Sequence, residues 1–175
     1  MTGDIVKEAA YLFEKGNYYS LDNAEMLVYG LNDATTLAVQ QVCDNATESY
    51  ARKILNWPNG RPDKPDIFKV DAESGKLQDV DECIKQFACY LHKLFQPSPP
   101  YDLPIYPHAF VVVDMQKVQS NETVTLVVAY ESDEEWKMGH CSVPVQVDLG
   151  LTVESLRMGD ITEEDVLNQF SDSKQ

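Results

Sequence analysis

Apolar and polar residues follow two rhythms along this chain, and the change from one to the other predicts its architecture. Residues 109–114, AFVVVD, are five consecutive apolar positions ending in a carboxylate. A run this short suits a strand buried on both faces, in the middle of a sheet covered by helices. Shorter runs at 26–29, closing on Gly30, and at 67–70, closing on Asp71, predict two further strands. Between the strands, apolar residues recur at helical spacing. Ile5, Val6, Ala9, Leu12 and Phe13 share one face of residues 4–15, with Asp4 to cap that segment and Gly16 to stop it. Leu37, Val39, Val42 and Cys43 follow a helix opening at Asn32-Asp33, and the pattern resumes from Thr47 through Tyr50, Ile54 and Leu55. Val80, Ile84, Phe87, Leu91 and Leu94 stripe a helix over 79–95.

After Asp114 the alternation of strand and helix gives way to strand and strand. A turn at QKVQSNE leads to a strand at 124–130, and the acidic segment 131–135 leads on to another at 141–147. Pro144 lacks the amide a central strand needs, which makes this last one an edge strand. Thr162 and Asp165 have the spacing of a capping box before Val166, Leu167 and Phe170. Proline-rich loops at 56–66 and 96–107 interrupt the pattern, and residues 171–175 read as a disordered tail. The expectation is a single α/β domain over 1–175. It has an N-terminal helix within 1–20, a mixed, mostly parallel sheet flanked by helices, and a C-terminal β-hairpin plus short helix.

Charge narrows the partners. Of the net −15, residues 101–175 contribute −10, with four Lys or Arg against fourteen Asp or Glu. A surface this acidic repels phosphate backbones and anionic headgroups, so neither nucleic acid nor membrane is expected as a partner. A small molecule or a protein remains, and the sequence sets no oligomeric state. The N-terminus lacks the basic and apolar segments of a signal peptide, and no run approaches the ~18 apolar residues of a membrane span. Cys43, Cys83, Cys89 and Cys141 form no C-x-x-C pair. They read as reduced thiols of a cytoplasmic protein, with neither metal nor cofactor expected.

Four segments in order carry a family resemblance: EMLVYGLNDATTL (25–37), IFKVDAESGKLQDVDEC (67–83), AFVVVDMQKV (109–118) and ESLRMGDITEEDVLNQF (154–170). Over about residues 25–170 the chain resembles a family of small uncharacterised bacterial and fungal proteins. It departs from that pattern at Gly30-Leu31, where an acidic residue is expected, and at Glu163 and Val166, where aromatic residues are. The resemblance implies an α/β fold and draws attention to Asp71 and Asp114, without implying a reaction.

Candidate chemistry starts at the strand ends. In open α/β sheets ligands bind outside the carboxyl ends of the strands, which places Asp71 and Asp114 on one rim if their strands are parallel. There they would share a cation or a proton, with Asn32 or Asp33 supplying a further oxygen. Histidine titrates near neutral pH. His108 and His140 join the two aspartates as catalytic candidates in an enzyme, whereas His92 lies on the flank of its helix. His140 and Cys141, adjacent in a strand, point to opposite faces and are no thiolate–imidazole pair. Tyr29 and Tyr106, with Asn32 and Asp33, are the ligand-binding candidates, as part of an aromatic-lined pocket. Phosphate-binding glycine loops, the serine-hydrolase elbow and the zinc-protease helix motif are all absent from the sequence. The leading expectation is a non-catalytic binding module; the alternative is a cofactor-independent isomerase, cyclase or lyase.

Overall fold

The computed structural model describes residues 20–57, 66–96 and 100–171. The three apolar runs form strands β1 (Met26–Gly30), β2 (Phe68–Val70) and β3 (Ala109–Val113). Successive residues feed opposite faces, as a strand's two-residue period requires. Val28, Val111 and Val113 enter one apolar cluster, and Leu27, Tyr29, Phe110 and Val112 enter another. Both faces are covered, which is why these runs carry no polar alternation.

Helix α1 (Thr36–Lys53) lies on the first face, burying Val39, Val42, Cys43, Ala46 and Tyr50. It is one continuous helix capped by the Thr35 side chain, so its start lies beyond the expected Asn32-Asp33, and Leu37 points to solvent. Helix α2 (Val80–Leu94), capped by Asp79, lies on the second face and buries Cys83, Ile84, Phe87, Ala88 and Leu91. The chain therefore steps from β1 outward to β2 along one face and returns along the other to β3.

Beyond β3 the structure departs from the expected outline. Residues 116–122, read as a turn, lie mostly within the short helix α3 (Met115–Asn121). That connection is shorter than the dozen or so residues a parallel crossover needs, and β4 (Thr123–Ser132) returns antiparallel to β3. Strand β5 (Glu135–Pro144) begins earlier than expected, because the acidic segment is a tight turn. Asp133 and Glu134 sit at φ 55° and 62°, and Ser132 pairs with Glu135. The sheet order is β2-β1-β3-β4-β5. β1 pairs parallel with β2 and β3, while β4 pairs antiparallel with β3 and β5. The sheet is thus evenly mixed, not mostly parallel. β5, with its Pro144, is at the edge.

Two helices follow, of which α4 (Asp148–Met158) was not legible in the sequence. It packs on α1 at Gly150, where a Cβ would fall 2.5 Å from the Cβ of Tyr50. Helix α5 (Glu163–Gln169) opens with the expected capping box: Asp165 N–H donates to Thr162 Oγ1 at 3.2 Å, and Thr162 N–H to Asp165 Oδ2 at 3.0 Å. Val153, Leu156 and Val166 bring α4 and α5 onto the face that α1 covers. The expected helix at 4–15, the proline-rich residues 58–65 and 97–99, and the tail 172–175 lie outside the described residues.

Candidate functional site

The parallel strands do bring Asp71 and Asp114 to one rim, on either side of β1. Their backbones stand two strand spacings apart, roughly 9–10 Å, and each carboxylate turns to its own loop. Asp71 Oδ1 accepts from Glu73 N–H at 2.8 Å, and Asp114 Oδ1 caps α3 by accepting from Gln116 N–H at 3.0 Å. The space between them is filled with backbone. Gly75 N–H donates to Gly30 O (2.8 Å), Leu31 N–H to Val113 O (3.0 Å) and Asn32 N–H to Leu77 O (2.9 Å). Ser74 Oγ accepts from Gly30 N–H at 3.0 Å. Gly75 is required where it stands: its φ is +92°, and a Cβ would meet the Ala34 carbonyl oxygen at 2.5 Å. Asn32 and Asp33 occupy an exposed turn with positive φ. Instead of a shared cation or proton site, this rim holds a closed loop whose side chains serve its backbone.

Tyr29 is another candidate the fold puts elsewhere. It is fully buried in the core beneath α2, edge-on to Phe110 with ring centroids 5.5 Å apart, so it lines no surface pocket. Its hydroxyl finds no hydrogen-bond partner among the described residues. Burial, reinforced by the negative field of Asp71, drives its pKa well above the ordinary phenol value. His140 is exposed on the edge strand, facing away from buried Cys141 as the strand period dictates. His92 is exposed on α2, where its ring meets the Gln96 amide at 3.0 Å. All four cysteines are free, and burial pushes the Cys43 and Cys83 thiols up to about 12, which makes them poor nucleophiles. Among the described residues no group of three or more His, Cys, Asp or Glu is placed to hold a metal ion.

The convergent side chains lie at the opposite end of the sheet. Tyr106 and His108 precede β3, in a loop anchored to the start of β1 by the Tyr106 N–H to Glu25 O bond (2.8 Å). Glu163, the first residue of α5, reaches both: it accepts the Tyr106 hydroxyl proton through Oε1, which also lies 3.6 Å from His108 Nδ1. Burial raises the Glu163 pKa, but the contacts from His108 and Tyr106 and from its own helix-terminal backbone outweigh it, leaving the carboxyl below its ordinary value. Tyr106 moves the other way: burial, and then the neighbouring carboxylate, push its hydroxyl far up. Trp136 of β5 stacks obliquely on the imidazole at 5.3 Å between ring centroids.

His108 also closes one end of an open apolar groove that encloses about 20 Å³, room for one small group. One wall is α2, through Ile84, Phe87, Ala88 and Leu91; the floor is β3 and β4, through Phe110, Val127 and Ala129, and Met138 of β5 flanks it. Among the described residues His108 is the single titratable side chain in that lining. Comparison with family models, with curated proteins and with solved structures finds no match to this chain. The site therefore stands on its geometry.

Of the sequence candidates, the fold brings Tyr106 and His108 together. Glu163 and Trp136 were missed. Glu163 was visible only as a departure from an aromatic position, and it is 57 residues from Tyr106, with no local pattern linking them.

Proposed function

We propose that this protein is a binding module that seats an apolar group, from a small molecule or a partner's side chain, in the groove between α2 and the sheet. His108 supplies the directional polar contact. The observation that carries this reading is the lining: apolar residues throughout, and one imidazole whose carboxylate neighbour sets its orientation. Ligand pockets of this type are mainly apolar with a few polar groups that fix the pose. The opposite rim supports the same reading, since Asp71 and Asp114 there each bond to nearby loop backbone. Four free cysteines, three of them buried, fit the cytoplasmic location we propose for it. No helix among the described residues is long and apolar enough to cross a membrane.

A neutral apolar fluorophore, 1-aminoanthracene, tests the reading. It should bind the wild-type protein and lose affinity in Ala88→Leu, which fills the groove with three more carbons, while Asp114→Asn at the far rim leaves binding unchanged. Equal binding to Ala88→Leu and wild type would move the ligand elsewhere.

One observation favours a second reading, a cofactor-independent isomerase, cyclase or lyase. A histidine beside a carboxylate at the end of an apolar groove is the arrangement of a general base. Catalysis would need further donors aimed at the reacting atoms, and the lining supplies none among the described residues. Binding is the better supported of the two.

A further inference from the structure

The enclosed part of the groove has room for one small group, so most of an occupant lies outside it, against the rim. The chemistry of that rim therefore selects the occupant. Past the floor residues Val127 and Ala129, strand β4 runs on to Glu131, which shares their face two residues, or about 7 Å, further along. Cross-strand pairing sets Trp136 opposite Glu131 and Met138 opposite Ala129, so these two half-buried side chains widen the apolar floor on that same face. His108 belongs to this end, since its carbonyl accepts from Ala129 N–H at 2.8 Å. Around it acid predominates. Glu131, Asp133, Glu134 and Glu135 of the hairpin are exposed, as is Glu164, next to the Glu163 that reaches His108. The one lysine of the hairpin, Lys137, pairs across with Tyr130 and so leaves from the face opposite Glu131 and Trp136, with its Nζ 3.8 Å from Asp133. Helix α2 adds no net charge, Asp81 and Glu82 standing against Lys85 and Lys93.

We infer that the groove receives a cationic segment of a partner protein: one apolar side chain is seated between α2 and the sheet, and lysines or arginines beside it meet Glu131 and the hairpin tip. The inference rests on the groove being the binding surface proposed above and names what fills it. Charge complementarity chooses the partner. With a net charge of −15 the chain repels a second copy of itself and draws in cations. The carboxylates come from two elements, the hairpin and α5, which a chain bearing several cationic side chains can meet at once and a single amine cannot. The apolar anchor fixes where that chain sits, and the acidic rim decides which chains are accepted.

Calorimetric titration of the full-length protein with the end-capped peptide KKKLKKK is the test. It should bind, and more weakly as salt rises from roughly 50 to 200 mM, whereas SSSLSSS and EEELEEE should not. KKKSKKK should bind about tenfold more weakly than KKKLKKK, the factor expected for roughly two methyl groups left in water. Glu131→Gln should weaken KKKLKKK about threefold, within the range of one exposed ion pair, and Glu131→Lys should weaken it further. Asp114→Asn, which removes the same charge at the far rim, should change nothing. Ala88→Leu should bring KKKLKKK down to the level of KKKSKKK. Equal affinity for the leucine and serine peptides, or for wild type and Glu131→Lys, would overturn the inference; 1-aminoanthracene lost from Ala88→Leu would still uphold the groove as a binding site. Binding of SSSLSSS as tight as that of KKKLKKK would give the groove to a neutral occupant. A dimer in sedimentation that Ala88→Leu dissolves would give it to a second copy, and either result overturns the inference. Dye and KKKLKKK that both ignore Ala88→Leu would remove the binding reading and the inference together.

Discussion

At the carboxyl ends of β1, β2 and β3 the polar side chains bond to nearby loop backbone, whereas near the amino end of β3 one carboxylate, Glu163, contacts the side chains of both Tyr106 and His108. Asp71 and Asp114 each accept from an amide two residues ahead, a pairing any strand end can form. Tyr106, His108 and Glu163 meet only because α5 is carried back across the sheet. The first arrangement stabilises a loop locally; the second needs the whole fold, partly buries a carboxylate and sits beside an apolar groove. Convergence from distant parts of the chain is the ground on which we propose the amino end, and not the topological switch point, as the site.

The common support of both ends gives the largest expected effect. Val112 is 1% exposed in the central strand, and Val112→Asp places an unpaired charge there at a cost of several kcal/mol. No cooperative unfolding transition should remain in calorimetry, and a variant that still unfolds cooperatively would contradict burial of that strand.

The amino-end cluster should make stability depend on acid. Because the Glu163 pKa is lower folded than unfolded, its contribution is fully present above the unfolded value of about 4.3 and is lost as pH falls through the folded one. Glu163→Gln should cost roughly 1.5–3 kcal/mol at pH 7, the range for hydrogen bonds to a charged group, and the two proteins should converge toward pH 3. Melting temperatures that stay parallel across that range would show that the carboxylate contributes nothing as an anion.

At the other end the expected changes are smaller. Asp114→Ala removes the α3 cap and should cost about 1 kcal/mol, while Asp114→Asn, an equally good cap, should be nearly neutral. Calorimetric titration with magnesium or calcium should give the same trace for Asp114→Asn and wild type; a difference would restore a functional role to this rim. Smallest is Tyr29→Phe. Removing a buried hydroxyl that lacks a partner among the described residues should leave stability equal or raise it by up to about 1 kcal/mol in urea unfolding. A clear loss would show that a water or another donor occupies that spot.

Much of the fold was legible because burial on both faces leaves an unbroken apolar run, as at Ala109–Val113, and because helix stripes and the capping box at Thr162 are local signals. The start of β5 was hidden by the charges around the turn, although Trp136 and Met138 alternate at strand spacing. Helix α4 was hidden because Leu149, Val153 and Leu156 directly follow a valine-rich strand, and Gly150 lowers helix propensity where close packing on Tyr50 needs it. The candidate site was legible by halves. His108 and Tyr106 stand two residues apart beside the central strand, but nothing linear couples them to Glu163.

Chain order gives the β4–β5 hairpin a part in folding. Its ten residue pairs close over a two-residue turn, whereas the Val28–Val111 pair of β1 and β3 bridges 83 residues. Hairpins form in roughly 1–10 μs, while long-range parallel pairing waits on loop closure. Pulse-labelling hydrogen exchange should find the Val127 amide protected before that of Val28; the reverse order would refute the scheme. The hairpin is then the template on which β3, β1 and β2 assemble in turn, and on a ribosome the strands made first must wait, unpaired, for the strands made last.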